Sequence, residues 1–222
     1  MNPIISVINI SKTYRSGDIE TKALQGVSLE VKRGEFVMIT GRNGSGKSTL
    51  LHQLGLLDIP DSGEIIINNK NVTKLSEHER SDLRLRYLGY IFQEYALMSE
   101  LTAIENVMLP ALPFKKTSIC QKRAGELLAQ VDLESKWDHL PSQLSGGEQQ
   151  KVAIARALIN DPVVIYADEP TANLDSVAAA DVMRVFKKIN EDGKRTILMI
   201  THEQEETVYA NRIIRLADGR IV

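Results

Sequence analysis

The chain has 222 residues, 43% of them hydrophobic and 25% charged, and its net charge is −2. This is ordinary globular composition, and it argues against a nucleic-acid-binding protein, which usually carries a basic surplus. No apolar run reaches the ~20 residues that span a bilayer, the N-terminus lacks the features of a signal peptide, and the single cysteine, Cys120, fits a reducing compartment. We therefore expect a cytoplasmic protein with no nucleic-acid partner and no direct membrane insertion.

The N-terminal part of the chain predicts β-structure. The segment 4–40 reads as short strands separated by turns, for example IISVINI and KALQGVSLEV. FVMIT, residues 36–40, is an apolar run of strand length that leads directly into a glycine-rich stretch. We expect the earlier strands to form a β-subdomain beside that stretch.

The glycine-rich stretch GRNGSGKST, residues 41–49, is followed by LLHQLGLL, which has helical spacing. Strand, glycines and helix in this order predict a phosphate-binding loop, called here the glycine loop. Its backbone N–H groups can point at phosphate oxygens, and the helix that begins near Lys47 adds the positive end of its dipole. Lys47 would contact the β- and γ-phosphates, Ser48 would hold Mg²⁺, and Thr49 would reach the α-phosphate. The predicted nucleotide-binding residues are Gly41, Arg42, Asn43, Gly44, Ser45, Gly46, Lys47, Ser48 and Thr49.

Between residues 94 and 159 the pattern turns helical. TAIE at 102–105 fits a capping box, which marks a helix N-terminus, and SICQKRAGELLAQV at 118–131 is amphipathic. These features predict a helical segment inserted between the other parts of the chain.

A second glycine pair lies in LSGGEQQ, residues 144–150. Ser145 and Glu148 fit a capping box, and the residues that follow keep one apolar face, so a helix starts here. Gly146 and Gly147 expose its first N–H groups, which predicts a second anion-binding helix N-terminus. Because the glycine loop already surrounds one nucleotide, one economical arrangement is a two-fold dimer. In that dimer the second site of each chain closes over the γ-phosphate held by the other chain.

A buried strand that ends in two acids is predicted at VVIYADEP, residues 163–170. Its continuous apolar run is typical of a central parallel strand. Asp168 is the natural partner of Mg²⁺, through water, and Glu169 is free to act as general base toward the attacking water. A pair of solvated acids at a strand end is the alternative interpretation.

TILMITHE, residues 196–203, repeats this design. Thr201 and Gln204 have the spacing of a capping box, so His202 is expected at a helix mouth near the same sheet edge, as a γ-phosphate sensor. A structural histidine is the alternative. Further along, ADGRIV predicts a hairpin turn through Asp218 and Gly219, and no regulatory domain is expected after it.

In this order, GRNGSGKST, LSGGEQQ, VVIYADEP, ANLD and TH resemble the motifs of the nucleotide-binding subunit of an ABC transporter, and the resemblance covers essentially the whole chain. It implies an α/β fold of the P-loop NTPase class, with a mostly parallel core sheet, an N-terminal antiparallel β-subdomain and an inserted helical subdomain. It also implies a single domain, 1–222, with residues 1–93 and 160–222 as its core and residues 94–159 as the helical subdomain that carries the signature motif. Two copies would form a homodimer on binding ATP.

The resemblance assigns further positions. Tyr14 matches an aromatic residue that stacks on adenine, Gln93 matches a glutamine that touches Mg²⁺ or the water, and Asp175 matches an aspartate at the dimer seam. A core tyrosine, a surface amide and a helix cap are the alternative interpretations. The catalytic set is then Lys47, Gln93, Ser145, Gly147, Glu169, Asp175 and His202. The magnesium set is Ser48, Gln93 and Asp168, and the nucleotide set gains Tyr14, Ser145, Gly146 and Gly147.

Two stretches narrow the group: residues 54–65 and 97–110 resemble lipoprotein-release and macrolide-export ATPases (LolD- and MacB-like), with the cell-division ATPase FtsE as a relative. This implies a Mg²⁺-dependent ATPase held on the cytoplasmic face of the cell membrane by an integral-membrane permease subunit. The resemblance makes the region of EYALM, residues 94–98, a groove for that permease, and ordinary core residues are the alternative interpretation. One alternative is a regulatory ATPase of a membrane complex that moves no cargo. A soluble ABC ATPase of DNA repair or translation is disfavoured, because such proteins usually join two cassettes or carry coiled coils. The cargo, its direction, the permease and the choice between homodimer and heterodimer in the cell are left open.

Overall fold

The computed structural model describes residues 3–222, so the first two residues of the predicted core segment lie outside the described residues. Two β-sheets and six α-helices make up this part of the chain. None of the helices within residues 3–222 combines the length and the apolar character needed to cross a bilayer.

An antiparallel sheet with strand order β2-β1-β4-β5 is built mainly from the N-terminal residues. The prediction of short strands over 4–40 is wrong for residues 5–31, because β1 and β2 form one long hairpin of 12 and 13 residues. Asn9 and Gly26 have positive φ angles and lie at register shifts within the hairpin. Such bulges bend a strand without ending it. The strands are β1 Ile5–Ser16, β2 Ile19–Val31, β4 Ser62–Ile67 and β5 Lys70–Asn71.

The second sheet has the order β10-β9-β3-β8-β7-β6, and its strands are parallel except at the β9–β10 edge. The mostly parallel core sheet is thus confirmed, and so is the hairpin turn, where Asp218 and Gly219 both have positive φ angles. The strands are β3 Phe36–Thr40, β6 Leu88–Ile91, β7 Val164–Asp168, β8 Thr196–Ile200, β9 Arg212–Ala217 and β10 Arg220–Ile221.

The central strands separate two hydrophobic cores. Phe36 and Met38 of β3 face a core that includes the long helices, whereas Val37 and Ile39 face a core shared with the antiparallel sheet and the first helix. Residues on both faces are fully buried, which explains why the strand sequences are continuously apolar. Because both faces are fixed by packing, the strand ends and the loops that follow them are held at one sheet edge.

The helices are α1 Lys47–Leu54, α2 Glu77–Tyr87, α3 Ala103–Met108, α4 Thr117–Gln130, α5 Gly146–Leu158 and α6 Ser176–Gly193, with 3₁₀ turns at Leu109–Ala111, Pro141–Gln143 and Gln204–Tyr209. The two capping boxes predicted at 102–105 and 145–148 are confirmed. Sequence reasoning missed α2, although Ser76 and Glu79 form a third capping box at its start. Helices α3 to α5 fall within 94–159, whereas α2 precedes that segment.

Candidate active site

Three loops leave the parallel sheet at the same edge. Ile39 of β3 pairs with Ile200 of β8, and Ile200 pairs in turn with Asp168 of β7. The residues that follow these positions therefore lie side by side, although they come from distant parts of the chain. Thr40 and then the glycine loop follow Ile39, Glu169 follows Asp168, and Thr201 and His202 follow Ile200.

The glycine loop runs so close to neighbouring backbone that two of its positions have no room for a side chain. A Cβ atom on Gly41 would lie 2.2 Å from the carbonyl oxygen of Leu216, and one on Gly46 would lie 2.3 Å from that of Ala23. Gly46 also has a φ of 99° immediately before α1, a conformation that favours glycine. The loop is therefore held between β2 and β9 by backbone packing, with Arg42, Asn43 and Gly44 exposed.

The Lys47 side chain is buried beneath this loop. Its Nζ donates to the carbonyl oxygens of Gly41, at 3.1 Å, and Arg42, at 3.2 Å. Burial lowers the pKa of Lys47, while the nearby Glu169 and Asp168 carboxylates act in the opposite direction. The Lys47 ammonium thus lies near two carboxylates and is hydrogen-bonded to two carbonyl oxygens of the glycine loop.

Asp168 and α1 are in direct contact. The Nε2 atom of His52, in the last turn of α1, lies 3.5 Å from Oδ2 of Asp168. Ser48 precedes His52 by four residues and so lies on the same helix face, one turn nearer the start of α1. Sequence reasoning missed His52, because a histidine within an otherwise ordinary helical stretch carries no local signal.

Glu169 and His202 join the ends of two neighbouring strands. His202 Nε2 contacts Glu169 Oε1, and both side chains are only partly exposed. The Glu169 N–H donates to the Ile200 carbonyl at 3.1 Å, and Glu169 has a φ of 45°, an uncommon angle for a residue other than glycine. The structure therefore brings together Lys47, Asp168, Glu169 and His202 at the mouth of the glycine loop.

The capping box predicted for Thr201 and Gln204 is wrong. The Thr201 hydroxyl accepts the Glu203 N–H at 2.9 Å and donates to Glu206 Oε2 at 2.5 Å. Residue 203 precedes the 3₁₀ turn and makes no side-chain cap. The Thr201 hydroxyl is hydrogen-bonded to the Glu203 N–H and to the buried Glu206 carboxylate, so it does not cap a helix. His202 therefore lies in a turn before a short 3₁₀ helix and not at the N-terminus of an α-helix.

Tyr14 lies on β1, near Thr49 of the glycine loop. Its hydroxyl donates to Asp58 Oδ2 at 2.9 Å, and the Lys12 ammonium lies 5.3 Å from its ring centre. Burial, followed by the Asp58 contact, raises the pKa of Tyr14.

Burial alone would raise the pKa of Asp58, but hydrogen bonds from Lys12, the Ile59 N–H and Tyr14 outweigh this effect and lower the pKa of Asp58. Lys12 and Asp58 thus fix the tyrosine ring, and sequence reasoning missed both.

Gln93 follows β6, which borders β7, so it leaves the same edge of the sheet. Its carbonyl oxygen accepts from Asn173 Nδ2 at 3.2 Å. The loop that follows is tied to α5, because Arg156 donates to the carbonyl oxygens of Tyr95 and Ala96, both of which have positive φ angles. Burial lowers the pKa of Arg156. This arginine links the Gln93 loop to the helix that begins at the second glycine pair.

The second glycine pair, with Ser145, is called here the signature segment, residues 145–147. The Ser145 hydroxyl accepts the Glu148 N–H, and Glu148 Oε2 accepts the Ser145 N–H at 2.8 Å. Lys136 donates to Glu148 at 2.6 Å and is the largest cause that lowers the Glu148 pKa. The N-terminus of α5 is therefore rigidly capped.

The signature segment packs against α6 and the Gln93 loop. A Cβ atom on Gly147 would lie 3.2 Å from that of Ala178, and one on Gly146 would lie 2.8 Å from the Tyr95 hydroxyl. Asp175 caps α6, accepting the N–H groups of Val177 at 3.0 Å and Ala178 at 2.9 Å. Among residues 3–222, no hydrogen bond or ion pair joins the signature segment to the glycine loop. Within the described residues, the glycine loop and the signature segment are thus two separate glycine-rich elements.

Comparison with known sequences gives consistent matches. A family model described as "ABC transporter" matches residues 24–172. The lipoprotein-releasing system ATP-binding protein LolD of Aquifex aeolicus is 48% identical over 223 residues, which cover 100% of this chain and 97% of that protein. The macrolide export ATP-binding/permease protein MacB of Chlorobium phaeobacteroides is 48% identical over 222 residues, which cover all of this chain but only 34% of MacB. The chain therefore spans about a third of the length of the MacB relatives that it matches.

Comparison with solved structures gives the same fold. The dimeric structure of an ATP-binding cassette in a post-hydrolysis state, bound to ADP and Pi, has a TM-score of 0.89 and 42% identity. The match covers 98% of this chain and 96% of that chain. The sheets, helices and strand-end loops described above are thus those of an ATP-binding cassette.

Proposed function

This chain belongs to the ABC transporter family as an ATP-binding subunit, and we propose that it hydrolyses ATP to power a membrane transporter of the lipoprotein-release or macrolide-export type. The observation that carries the proposal is the meeting of four side chains at the mouth of the glycine loop. Lys47 faces the two acids, and His202 contacts Glu169. A cation, a carboxylate pair and an imidazole beside a phosphate-binding loop can bind phosphate, position water and accept its proton, which are the tasks of nucleotide hydrolysis.

Each of these residues has a role in the proposed reaction. Glu169 accepts a proton from water as the water oxygen bonds to the γ-phosphorus, and the bond from that phosphorus to the bridging oxygen of ADP breaks. Lys47 stabilises the charge on the phosphate oxygens, and its two carbonyl contacts hold the ammonium in place before ATP arrives. His202 orients Glu169 and donates to the γ-phosphate.

The donor set fits a magnesium ion that is bound partly through the phosphates. Ser48 and Asp168 offer hard oxygen ligands from one helix face and one strand end. Within residues 3–222 there is no group of three or more His, Cys, Asp or Glu residues that could hold a metal ion alone. Phosphate oxygens and water would complete the shell, with Gln93 as a further ligand. When bound, such an ion supplies charge neutralisation at the β- and γ-phosphates.

The two anion-binding elements of one chain support a head-to-tail homodimer. In the proposed assembly, Ser145 and Gly147 of one protomer contact the γ-phosphate held by the glycine loop of its partner, and Asp175 lies at the seam. Gly146 adds an N–H group at the start of α5. Tyr14 receives the adenine on its ring, since the phenol lies near Thr49 and is fixed by Asp58.

An apolar groove supports the proposed permease contact. It has a volume of about 300 Å³ and lies between the end of α1, α2, β6 and α5. Its apolar lining includes Leu57, Leu85, Phe92, Pro110 and Ile159. Residues 94–98, where the sequence predicts the groove, do not line it, but Arg156 lines it and donates to the Tyr95 carbonyl oxygen. A permease bound here would hold the ATPase at the membrane surface from the cytoplasmic side.

Two experiments test the proposal. Phosphate release by the purified chain should require ATP and MgCl₂ and should stop in EDTA. Absence of ATP-dependent release would overturn the ATPase proposal, and release at the same rate in EDTA would overturn the magnesium role.

For the permease, Leu57→Asp should abolish copurification of a permease identified by mass spectrometry, while the isolated chain keeps its ATPase rate. Leu57 is 42% exposed, and Ile119→Asp on α4, where the wild-type side chain is 53% exposed, is the matched control. Equal recovery of the permease by both variants would count against this groove.

A further inference from the structure

Glu206 is a buried acid that the proposed reaction does not use. It lies in the 3₁₀ turn Gln204–Tyr209 and is 6% exposed. Its Oε2 accepts the Thr201 hydroxyl at 2.5 Å, and its Oε1 accepts the Thr171 hydroxyl. Both threonines are buried as well, at 2% and 5% exposure. Within residues 3–222 the partners of this carboxylate are thus hydroxyl groups, and no cation pairs with it.

The two threonines flank the reacting groups. Thr171 is two residues after Glu169 in the loop that follows β7, and Thr201 immediately precedes His202 in the loop that follows β8. A single carboxylate therefore spans the two loops that present Glu169 and His202. The Thr201 hydroxyl also accepts a hydrogen bond from the Glu203 N–H, so two hydrogen bonds fix its orientation.

We propose that Glu206 is a positioning residue, which sets the separation of Glu169 and His202 by bridging Thr171 and Thr201. The inference rests on the proposed ATPase function. Besides the Glu206 bridge, the loops are joined by the backbone hydrogen bond from Glu169 to Ile200 and by the His202–Glu169 contact. Neither of these fixes the loop beyond Glu169.

Two physical reasons give the bridge this role. Burial of a carboxylate is unfavourable unless its oxygens are hydrogen-bonded, and here each oxygen has one strong donor. Glu169 holds a positive φ angle, and such a conformation persists only where the surrounding structure enforces it. The bridge fixes the chain at Thr171, two residues after this strained position. A small shift there would move the Glu169 carboxylate away from the attacking water of the proposed reaction.

The first test compares Glu206→Ala, Glu206→Gln and the exposed neighbour Glu205→Ala. We expect Glu206→Ala to lower kcat roughly 10- to 100-fold, since displacement of a reacting group by about 1 Å can cost about 100-fold. KM for ATP and the Kd for ATP should change less than about twofold, because the glycine loop is untouched. Glu206→Gln should recover most of kcat, since its amide can accept from one threonine and donate to the other hydroxyl oxygen. Glu205→Ala should match the wild type.

A double-mutant cycle separates positioning from a general structural role. If Glu206 acts through the Glu169–His202 pair, adding Glu206→Ala to His202→Ala should lower kcat less than about twofold further. A purely structural role would lower kcat by the same factor in both backgrounds, together with a fall in Tm. Equal factors, an unchanged kcat in Glu206→Ala, or no recovery in Glu206→Gln would each overturn the proposal.

Thr171→Val keeps the test decisive if Glu206→Ala fails to fold. It removes one hydroxyl donor at constant volume, and we expect a loss of kcat of roughly 3- to 10-fold at unchanged KM; an unchanged kcat would overturn the bridge. Failure of the ATPase proposal is distinguishable, because in that case the wild type itself would release no phosphate from ATP. If Glu169→Gln is inactive while Glu206→Ala is fully active, the positioning proposal is refuted and the ATPase proposal stands.

Discussion

His202 and Glu169 contact each other through Nε2 and Oε1 across the ends of two adjacent parallel strands. The contact places an imidazole beside the acid that we propose as general base, next to Lys47 and the glycine loop. It is possible because Asp168 and Ile200 are register partners, so Glu169 and the Thr201–His202 pair leave the sheet at the same level. The strand pairing thus sets the geometry of the proposed reaction.

Replacing Glu169 by glutamine should stop turnover without preventing ATP binding. The amide keeps the shape and the hydrogen bond to His202 but cannot accept the proton of water, and removal of a general base typically lowers the rate by ~10²–10⁴-fold. The trapped ATP should hold two copies together, which size-exclusion chromatography with light scattering would detect. Glu205→Gln is the control. A Glu169→Gln protein that stays monomeric at saturating ATP contradicts the head-to-tail dimer.

Replacing Lys47 by alanine should weaken nucleotide binding. The ammonium is buried against the glycine loop, and a hydrogen bond to a charged group contributes about 1.5–3 kcal/mol, so the Kd for ATP should rise roughly 10- to 100-fold. Isothermal titration calorimetry measures this directly. Lys122→Ala, at an exposed position of α4, should leave the Kd unchanged. Equal affinity in both variants would contradict the assignment of the phosphate cradle.

Two glycine-to-alanine substitutions should change stability in opposite directions. Gly46→Ala places a Cβ atom 2.3 Å from a backbone oxygen at a φ of 99°, and we expect the free energy of unfolding to fall by about 2 kcal/mol or more. Gly125→Ala lies within α4 with nothing inside 4 Å, and it should raise that free energy by about 0.5–1 kcal/mol. Urea unfolding measures both. A Gly46→Ala protein as stable as the wild type would show that the loop can move away from Ala23.

Substitutions at Tyr14 should separate its ring from its hydroxyl. Tyr14→Ala removes the surface proposed for adenine, and the Kd for ATP should rise about 10-fold, within the ~1–3 kcal/mol that aromatic stacking on a base contributes. Tyr14→Phe keeps the ring and loses only the Asp58 contact, so the Kd should change less than about threefold. Fluorescence titration of a nucleotide analogue measures both values. Equal losses in the two variants would assign the effect to the hydroxyl and not to stacking.

Features that depend on neighbouring residues are predictable from the sequence. The strand at 36–40, the start of α1 and the capping boxes at Thr102 and Ser145 all rest on residues within four positions of one another. The errors are local signals that distant contacts overrode. Residues 5–31 form one long hairpin and not short strands, because β1 and β2 pair along their full length. The Thr201 hydroxyl donates to Glu206 and does not cap a helix.

By itself, the sequence determined that this chain holds two glycine-rich segments that each lead into a helix, a buried strand that ends in two acids, and the order in which an ATP-binding cassette presents them. Those are properties of short segments, where backbone conformation and helix capping follow from adjacent side chains. Tertiary structure alone decided which partners complete them: His52 beside Asp168, Lys12 and Asp58 around Tyr14, and Glu206 between the two strand-end loops. These pairings come from sheet register and packing between segments far apart in the chain, which no local pattern encodes.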